Sequence, residues 1–193
     1  MSKEKLLLIG AGGFGRMVAE LAMLQYDCAF VDDGQPVGAE ICGIPVVGGL
    51  ADLPDLRKEY SLLVVGIGSN QFRAQVYEKA AALGYAFPNI IAASAYISPF
   101  AEIGKGCVIL QNACVQNGAT VGNGVLLNAG AEVHCDATVK DYALIYTNSV
   151  VRTGAKVGKF VRIGSNVTIC NNAVVSDGAD IPDCTAVHPE VKK

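Results

Sequence analysis

The sequence predicts two domains of different kinds: an α/β Rossmann-like domain over residues 1–92, then a parallel β-helix over residues 95–193. Two observations predict this organisation. In the first half, short apolar runs alternate with helical patterns, which is typical of a parallel sheet covered by helices. From Ile97 onwards, an aliphatic residue instead recurs at every sixth position. A strict sixfold period indicates a β-helix built from stacked short strands.

The elements of the first half follow in order. The apolar run KLLLIG predicts a buried strand, and GFGRMVAELAMLQY after it predicts a helix. The strand CAFVDD, a short helix in GLADLPDLRKEY and the buried strand SLLVVGIGS come next. The segment NQFRAQVYEKAAALGY predicts an amphipathic helix. Ser69 or Asn70 is its N-cap candidate, and Gly84 lies near its end. We expect the run NIIA to form the last strand of this domain.

The second half divides into fifteen consecutive hexads, from Ile97 to Ala186, without an insertion. The first position of every hexad is Ile, Val or Leu, and the fifth is small or mid-sized. Three hexads close one triangular coil, so the pattern predicts five coils with aliphatic side chains inside. Because each coil buries its core only against its neighbours, the array stabilises as a solenoid. Residues that tolerate left-handed backbone recur at the turns: Gly104, Gly106, Gly122, Gly124, Asn166 and Asn172.

The composition argues against several classes of function. The chain is 51% hydrophobic and 17% charged, which predicts a folded, well-buried protein. Its net charge is -3 and no basic cluster stands out, so nucleic acid is not an expected partner. No apolar run approaches a membrane span, and no signal peptide is visible. The seven cysteines occur singly, without a CxxC pair. We therefore expect a cytoplasmic protein with reduced thiols, no metal and no membrane partner.

The turn GAGGFG places Gly10, Gly12 and Gly15 in a GxGxxG pattern between a strand and a helix. Such a turn lets a phosphate reach backbone N–H groups at a helix N-terminus. Asp32 and Asp33 end the second strand, where an acidic residue meets a ribose hydroxyl in nicotinamide enzymes. The pattern favours a nucleotide-containing ligand; the alternative is a turn that only packs against the sheet.

The hexads resemble the left-handed β-helix of the hexapeptide-repeat acyltransferases. With the first half included, residues 4–193 resemble the bacterial sugar O- and N-acetyltransferases of the sialic acid O-acetyltransferase and UDP-amino-sugar acetyltransferase type. The shared landmarks are LIGAGGFGR, FVDD, VGIGSNQFR, ISPFAEIGKGCVI, LNAGAEVHCD and IPDCTAVHPEVKK. This resemblance implies a left-handed coil, acetyl-CoA as the acyl donor, and a homotrimer with donor sites between adjacent β-helices.

The resemblance also implies which residues bind ligands. A UDP-type nucleotide-linked sugar, and not NAD, is expected to contact Gly10, Gly12, Gly13, Asp32, Asp33, Gly68, Ser69 and Asn70. Coenzyme A is expected to contact turns that include Gly154, Gly158, Gly164 and Ser165.

The segment EVHCD departs from the family at its reacting position. The family pattern is close to N-[TA]-x-[AS]-x-[VI]-E-H-[DE], and its histidine acts as the base. This chain has Cys135 at the histidine position and Asp136 at the acidic position that follows it. Histidine lies one residue earlier, at His134, and Leu144 occupies the place of a second family histidine. Three hypotheses stay open: His134 is the base and Asp136 its partner, Cys135 is an acyl-accepting nucleophile, or the site is silent. We expect the other histidine, His188, to be merely exposed.

The resemblance therefore predicts an acetyl-CoA-dependent acetyltransferase that acts on an amino or hydroxyl group of a nucleotide-linked sugar in surface glycan synthesis. The alternative is a catalytically silent protein that binds a sugar nucleotide or serves as a scaffold.

Overall fold

The computed structural model describes residues 3–190. They separate into two compact units, the first ending at Ile90 and the second beginning at Ile91. Each unit is described by itself below.

The first unit contains a five-stranded sheet in the order β3-β4-β2-β1-β5. The sheet is parallel except that β3 runs antiparallel to β4. Its apolar strand residues are buried, as Leu6, Phe30 and Leu63 illustrate, so the predicted strand–helix alternation is confirmed. The strands are β1 (Lys5–Ile9), β2 (Asp27–Val31), β3 (Glu40–Ile41), β4 (Ile44–Gly48) and β5 (Leu62–Val65); the helices are α1 (Gly13–Ala22), α2 (Leu53–Leu56) and α3 (Asn70–Ala82), and a 3-10 turn spans Leu50–Asp52.

Two features of this unit differ from the sequence prediction. Strands β3 and β4 form a hairpin that the sequence analysis does not predict. Its two turn residues, Cys42 and Gly43, have φ values of 53° and 74°. Positive φ at both positions suits a tight two-residue hairpin turn. The run NIIA is not the last strand of the α/β sheet; it forms β6 (Ile90–Ile91), which heads one sheet of the β-helix.

The second unit is a parallel β-helix with three faces, and on each face a strand pairs with the strand one coil away. Residues 18 apart are partners, as Val115 and Val133 show, so three hexads make one coil as predicted. One face contains β7 (Tyr96–Ile97), β10 (Cys114–Val115), β13 (Glu132–Val133), β16 (Val150–Val151), β19 (Thr168–Ile169) and β22 (Ala186–Val187). The second contains β8 (Glu102–Ile103), β11 (Thr120–Val121), β14 (Thr138–Val139), β17 (Lys156–Val157) and β20 (Val174–Val175). The third contains β6, β9 (Val108–Ile109), β12 (Leu126–Leu127), β15 (Leu144–Ile145), β18 (Arg162–Ile163) and β21 (Asp180–Ile181).

The aliphatic residue of each hexad points into the prism, where Val133, Val139 and Ile145 are fully buried. The residue before it and the residue after it then lie on the outer surface, because successive side chains of a strand alternate in direction. The β-helix thus fixes every sixth residue for packing. The two neighbours of Val133 stay partly exposed, whereas on the third face the neighbouring residues Val108, Leu126 and Leu144 are buried as well.

The corners confirm most of the turn prediction. Gly106, Gly124, Asn166 and Asn172 have positive φ. Gly104 and Gly122 do not; a Cβ on Gly104 would lie 2.7 Å from the carbonyl carbon of Gly122, and one on Gly122 would lie 2.6 Å from the backbone nitrogen of Asp141. These glycines are needed for close stacking of coils. Some corner residues with positive φ are neither Gly nor Asn: Asp136, Tyr142, Phe160 and Cys184.

Candidate functional site

The glycine-rich turn after β1 contains two kinds of glycine. Gly10 and Gly15 are needed for packing: a Cβ on Gly10 (φ 93°) would lie 2.7 Å from Cγ1 of Ile67, and a Cβ on Gly15 only 1.8 Å from the Gly10 carbonyl oxygen. Gly12 and Gly13, by contrast, are exposed, with no atom within 4 Å of an added Cβ. The open part of the turn is therefore the part at the start of α1.

The backbone N–H groups at this helix start are available to a ligand. Gly12 is the N-cap of α1, and no side chain caps the helix there. An uncapped N-terminus carries partial positive charge and unpaired N–H donors, an arrangement that binds phosphate. The structure thus brings the predicted contacts Gly12 and Gly13 to a suitable place, whereas Gly10 is buried and supports the turn.

Asp32 and Asp33 lie directly after β2 and organise the turns around them. Asp32 accepts hydrogen bonds from the backbone N–H of Ala11 at 2.7 Å and of Gly34 at 2.8 Å. Asp33 accepts one from the N–H of Leu50 at 2.8 Å. A cleft of about 200 Å³ opens here, lined by both aspartates together with Ile9, Gly10, Val31, Gly34, Leu50, Ile67 and Phe72. Apolar walls with a few fixed carboxylates suit a small polar ligand.

The loop after β5 supplies the third predicted contact region. Gly68 and Ser69 are exposed, but Asn70 is only 5% exposed. The fully buried Arg73 explains this: its guanidinium donates to the Asn70 side-chain oxygen and to the Ile67 carbonyl, both at 2.9 Å. Asn70 therefore supports the loop from within, and the part that faces outward is Gly68 and Ser69.

His134 lies just after β13 and contacts a carboxylate other than the predicted one. Its Nε2 atom is 2.8 Å from Oε2 of Glu132, and both side chains are partly exposed. Asp136 lies in the corner with a φ of 59°, and no hydrogen bond joins it to His134 among residues 3–190. The reason is strand alternation: Val133 points inward, so the side chains of Glu132 and His134 share the outer face.

Cys135 has a different partner. Its backbone N–H and its thiol both donate to the side-chain oxygen of Gln116, at 3.2 Å and 3.3 Å. No imidazole contact accompanies these two bonds in the described part of the chain. Cys114 lies on the same face, where burial and then the Glu132 carboxylate raise the pKa of its thiol. The nucleophile hypothesis for Cys135 therefore gains no neighbouring base from the structure.

The glycines predicted to contact coenzyme A are also required for the close stacking of successive coils. A Cβ on Gly158 would lie 2.4 Å from Oδ1 of Asp177, and one on Gly164 would lie 2.3 Å from Oδ1 of Asp183. That Asp183 oxygen accepts a hydrogen bond from the N–H of Ser165 at 2.8 Å. Gly154 is crowded in the same way, with Oδ1 of Asn172 at 2.4 Å. These residues let successive coils stack, and their contact with coenzyme A stays a prediction.

Sequence reasoning missed two participants of the His134 region, Glu132 and Gln116. Both could have been found from the hexad register. Glu132 lies two residues before His134, with the inward-pointing Val133 between them. Gln116 lies one coil before His134, at the equivalent position of its own hexad. Leu144, at the place of the second family histidine, is 2% exposed in β15.

Within residues 3–190, no cluster of three or more His, Cys, Asp or Glu side chains has the arrangement of a metal site. A search of the same residues finds no helix with the length and apolar character needed to span a bilayer.

Comparison with known proteins relates this geometry to a family. The model of the PglD N-terminal domain matches residues 5–80. The acetyltransferase domain of PglB from Neisseria gonorrhoeae FA1090 is 31% identical over 99% of this chain and 94% of that chain, with a TM-score of 0.91. The structure of that domain in complex with acetyl coenzyme A is 34% identical over 97% of this chain and 98% of that one, with a TM-score of 0.86.

A more distant similarity is to PerB from Caulobacter crescentus, whose structure contains CoA and GDP-perosamine. It is 26% identical over 93% of this chain and 91% of that chain, with a TM-score of 0.54. The matches extend over both units and confirm the predicted fold class, an α/β domain followed by a left-handed parallel β-helix.

Proposed function

Because this chain belongs to the family of PglD-like hexapeptide-repeat sugar acetyltransferases, we propose that it transfers the acetyl group of acetyl-CoA to an amino or hydroxyl group of a sugar. One observation carries the proposal: the similarity to an acetyltransferase domain bound to acetyl coenzyme A includes nearly the whole of both chains. The reaction needs a thioester donor, an acceptor and a base, and no metal.

The acceptor is a nucleotide-linked sugar bound by the first unit. Three features of that unit support this: the uncapped N-terminus of α1, the exposed glycines Gly12 and Gly13, and the cleft beside Asp32 and Asp33. The diphosphate would meet the N–H groups of the turn. Gly68 and Ser69 flank the same edge of the sheet, at the carboxyl end of β5.

His134 is the base of the proposed reaction, and Glu132 is its positioning residue. An ionised carboxylate can only accept a hydrogen bond, so in the proposed reaction the imidazole proton is on Nε2, 2.8 Å from Glu132, and the lone pair that acts as base is on Nδ1. As the acceptor nitrogen or oxygen attacks the thioester carbonyl, Nδ1 takes its proton and the coenzyme A thiolate leaves. The Glu132 carboxylate then stabilises the imidazolium that forms.

The assembly we propose is a homotrimer in the cytoplasm, with donor sites between neighbouring β-helices and a place in surface glycan synthesis. The turns at Gly154, Gly158, Gly164 and Ser165 would face coenzyme A in that arrangement. Analytical ultracentrifugation tests the trimer directly, and a monomeric or dimeric protein would contradict it.

Purified full-length protein should release free thiol from acetyl-CoA when it is given UDP-linked 4-amino sugars or GDP-perosamine. The matched control is H134N, which keeps a side chain of similar polarity but removes the base. Turnover in the wild type and its loss in H134N would support the proposal. No thiol release with any acceptor, beside a related enzyme that turns over, would contradict it.

A silent binding protein is the second candidate, because Cys135 and Leu144 occupy both family histidine positions. Titration calorimetry separates the two candidates. The enzyme binds both coenzyme A and a sugar nucleotide, whereas the silent protein binds only the sugar nucleotide.

A further inference from the structure

Both histidines of the chain lie in one column of the β-helix. His134 directly follows β13 and His188 directly follows β22, and the register of β13, β16, β19 and β22 places them three coils apart. The two positions between them in the same column are Arg152 and Cys170. With strands about 4.8 Å apart, the column is a line of polar groups along one corner of the β-helix.

The far end of this column pairs a thiol with an imidazole. The Cys170 Sγ atom is 3.5 Å from Nδ1 of His188, which is within hydrogen-bonding reach for sulfur. Cys170 is partly exposed and His188 is exposed, so the pair is open to solvent. The contrast with Cys135 is informative, because the Cys135 thiol donates to the amide oxygen of Gln116, which cannot take a proton from it.

A cleft of about 390 Å³ lies beside His188. His188 lines it together with Asn172, Val174, Ser176, Pro189 and Glu190. Its volume is in the range of small-molecule sites, and its lining combines an apolar side chain with hydroxyl, amide and carboxylate groups. Cys170 thus has a proton acceptor in His188, and the cleft that His188 lines offers room for an incoming electrophile.

We propose that Cys170 and His188 form a nucleophilic pair that accepts an acyl group from a thioester. His188 Nδ1 takes the thiol proton, and the Cys170 thiolate attacks the thioester carbonyl. The bond from that carbonyl to the donor sulfur breaks, and the proton passes to the departing thiolate. The products are an S-acyl Cys170 and the free donor thiol, so no oxidant or metal is needed.

The donor is the same class of molecule as in the proposed sugar transfer, but the step needs neither a sugar nor His134. Arg152, one coil before Cys170, adds a positive charge to the column.

The test is to incubate the full-length protein with acetyl-CoA alone and to locate S-acetylation by peptide mass spectrometry, with hydroxylamine release as proof of a thioester. Two exposed cysteines, Cys42 and Cys184, serve as internal controls in every sample. We expect Cys170 to be acetylated at least about 10-fold faster than Cys184.

The matched variant is H188N, which changes an exposed residue and removes only the proton acceptor. It should reduce Cys170 acetylation to the rate of Cys184 while Cys42 and Cys184 stay unchanged; an unchanged melting temperature checks that the variant is folded. The proposal is overturned if Cys170 reacts no faster than Cys184, or if H188N leaves its rate unaltered. In H134N, Cys170 acetylation should persist while sugar transfer is lost, which separates this proposal from the proposed function.

Discussion

Replacing Glu132 with glutamine tests whether this carboxylate positions and stabilises His134 during acetyl transfer. Glutamine keeps the length of the side chain and can still accept a hydrogen bond from Nε2, so the variant removes the charge and little else. Two unit charges about 4 Å apart attract by about 1 kcal/mol in water and about 4 kcal/mol at an effective dielectric constant of 20. Because 43% of the Glu132 side chain is exposed, solvent screening places the value near the lower limit.

A loss of about 1–2 kcal/mol of transition-state stabilisation corresponds to a decrease in kcat of about 5- to 30-fold for E132Q. H134N should cost at least about 100-fold, because it removes the base itself. In the double variant, E132Q should add little to the loss already caused by H134N, since Glu132 acts only through the imidazole. Thiol release from acetyl-CoA under saturating acceptor measures all three variants.

Two further variants decide which carboxylate matters. D136N removes the charge that the family pattern places beside the base, and E102Q removes a charge from another face of the β-helix. The contact at 2.8 Å predicts a larger loss for E132Q than for either variant. A larger loss for D136N, or an E132Q effect that persists in the H134N background, would refute the pairing of Glu132 with His134.

Four other predictions concern the turns and the buried thiol. G12A should leave the melting temperature unchanged, because a Cβ there meets only open space. It should weaken binding of a sugar nucleotide in calorimetry, because the added methyl group would occupy the exposed turn where the diphosphate is proposed to bind. G10A should instead lower the melting temperature, because its φ of 93° and its close neighbours disfavour any side chain. G164A should lower the free energy of unfolding by about 1–3 kcal/mol through overpacking between coils, measured by urea denaturation. Burial raises the pKa of the Cys28 thiol to about 11, so iodoacetamide should label it at pH 8 at least about 100-fold more slowly than the exposed Cys42 until urea unfolds the protein.

The sequence was sufficient for the architecture because the packing of each half imposes a period on it. Each coil needs one aliphatic residue per face, so the hexads set the register of every β-helix strand, and Val115 therefore pairs with Val133. The one misplaced strand, NIIA, in fact agrees with this period. Ile91 lies six residues before Ile97 and so continues the hexads backwards, but a count that begins at Ile97 leaves NIIA to the α/β sheet.

The site was less predictable, because its contacts depend on side-chain direction and not on period. The sequence identified His134 and a nearby acidic residue but associated the imidazole with Asp136. The pairing with Glu132 follows from strand alternation across Val133, which is visible in the sequence only after the strand is located. Arg73 was missed for another reason: nothing in a helix pattern distinguishes a buried guanidinium that holds a loop from an exposed one.

The outer surface of this corner explains how the proposed base, His134, can lie one residue before the family position without disturbing the fold. Val133 is fixed by the core, whereas the side chains of residues 132 and 134 leave the strand outward and those of 135 and 136 belong to the corner. A histidine at position 135 would meet the side-chain oxygen of Gln116, where the cysteine thiol lies now. At position 134 it meets Glu132 instead. The shift therefore exchanges Gln116 for Glu132 as the partner and changes no buried residue. A C135H variant of the H134N protein tests this directly: recovered acetyl transfer would show that the corner position still supports a base, and failure to recover would show that the acceptor site has moved with His134.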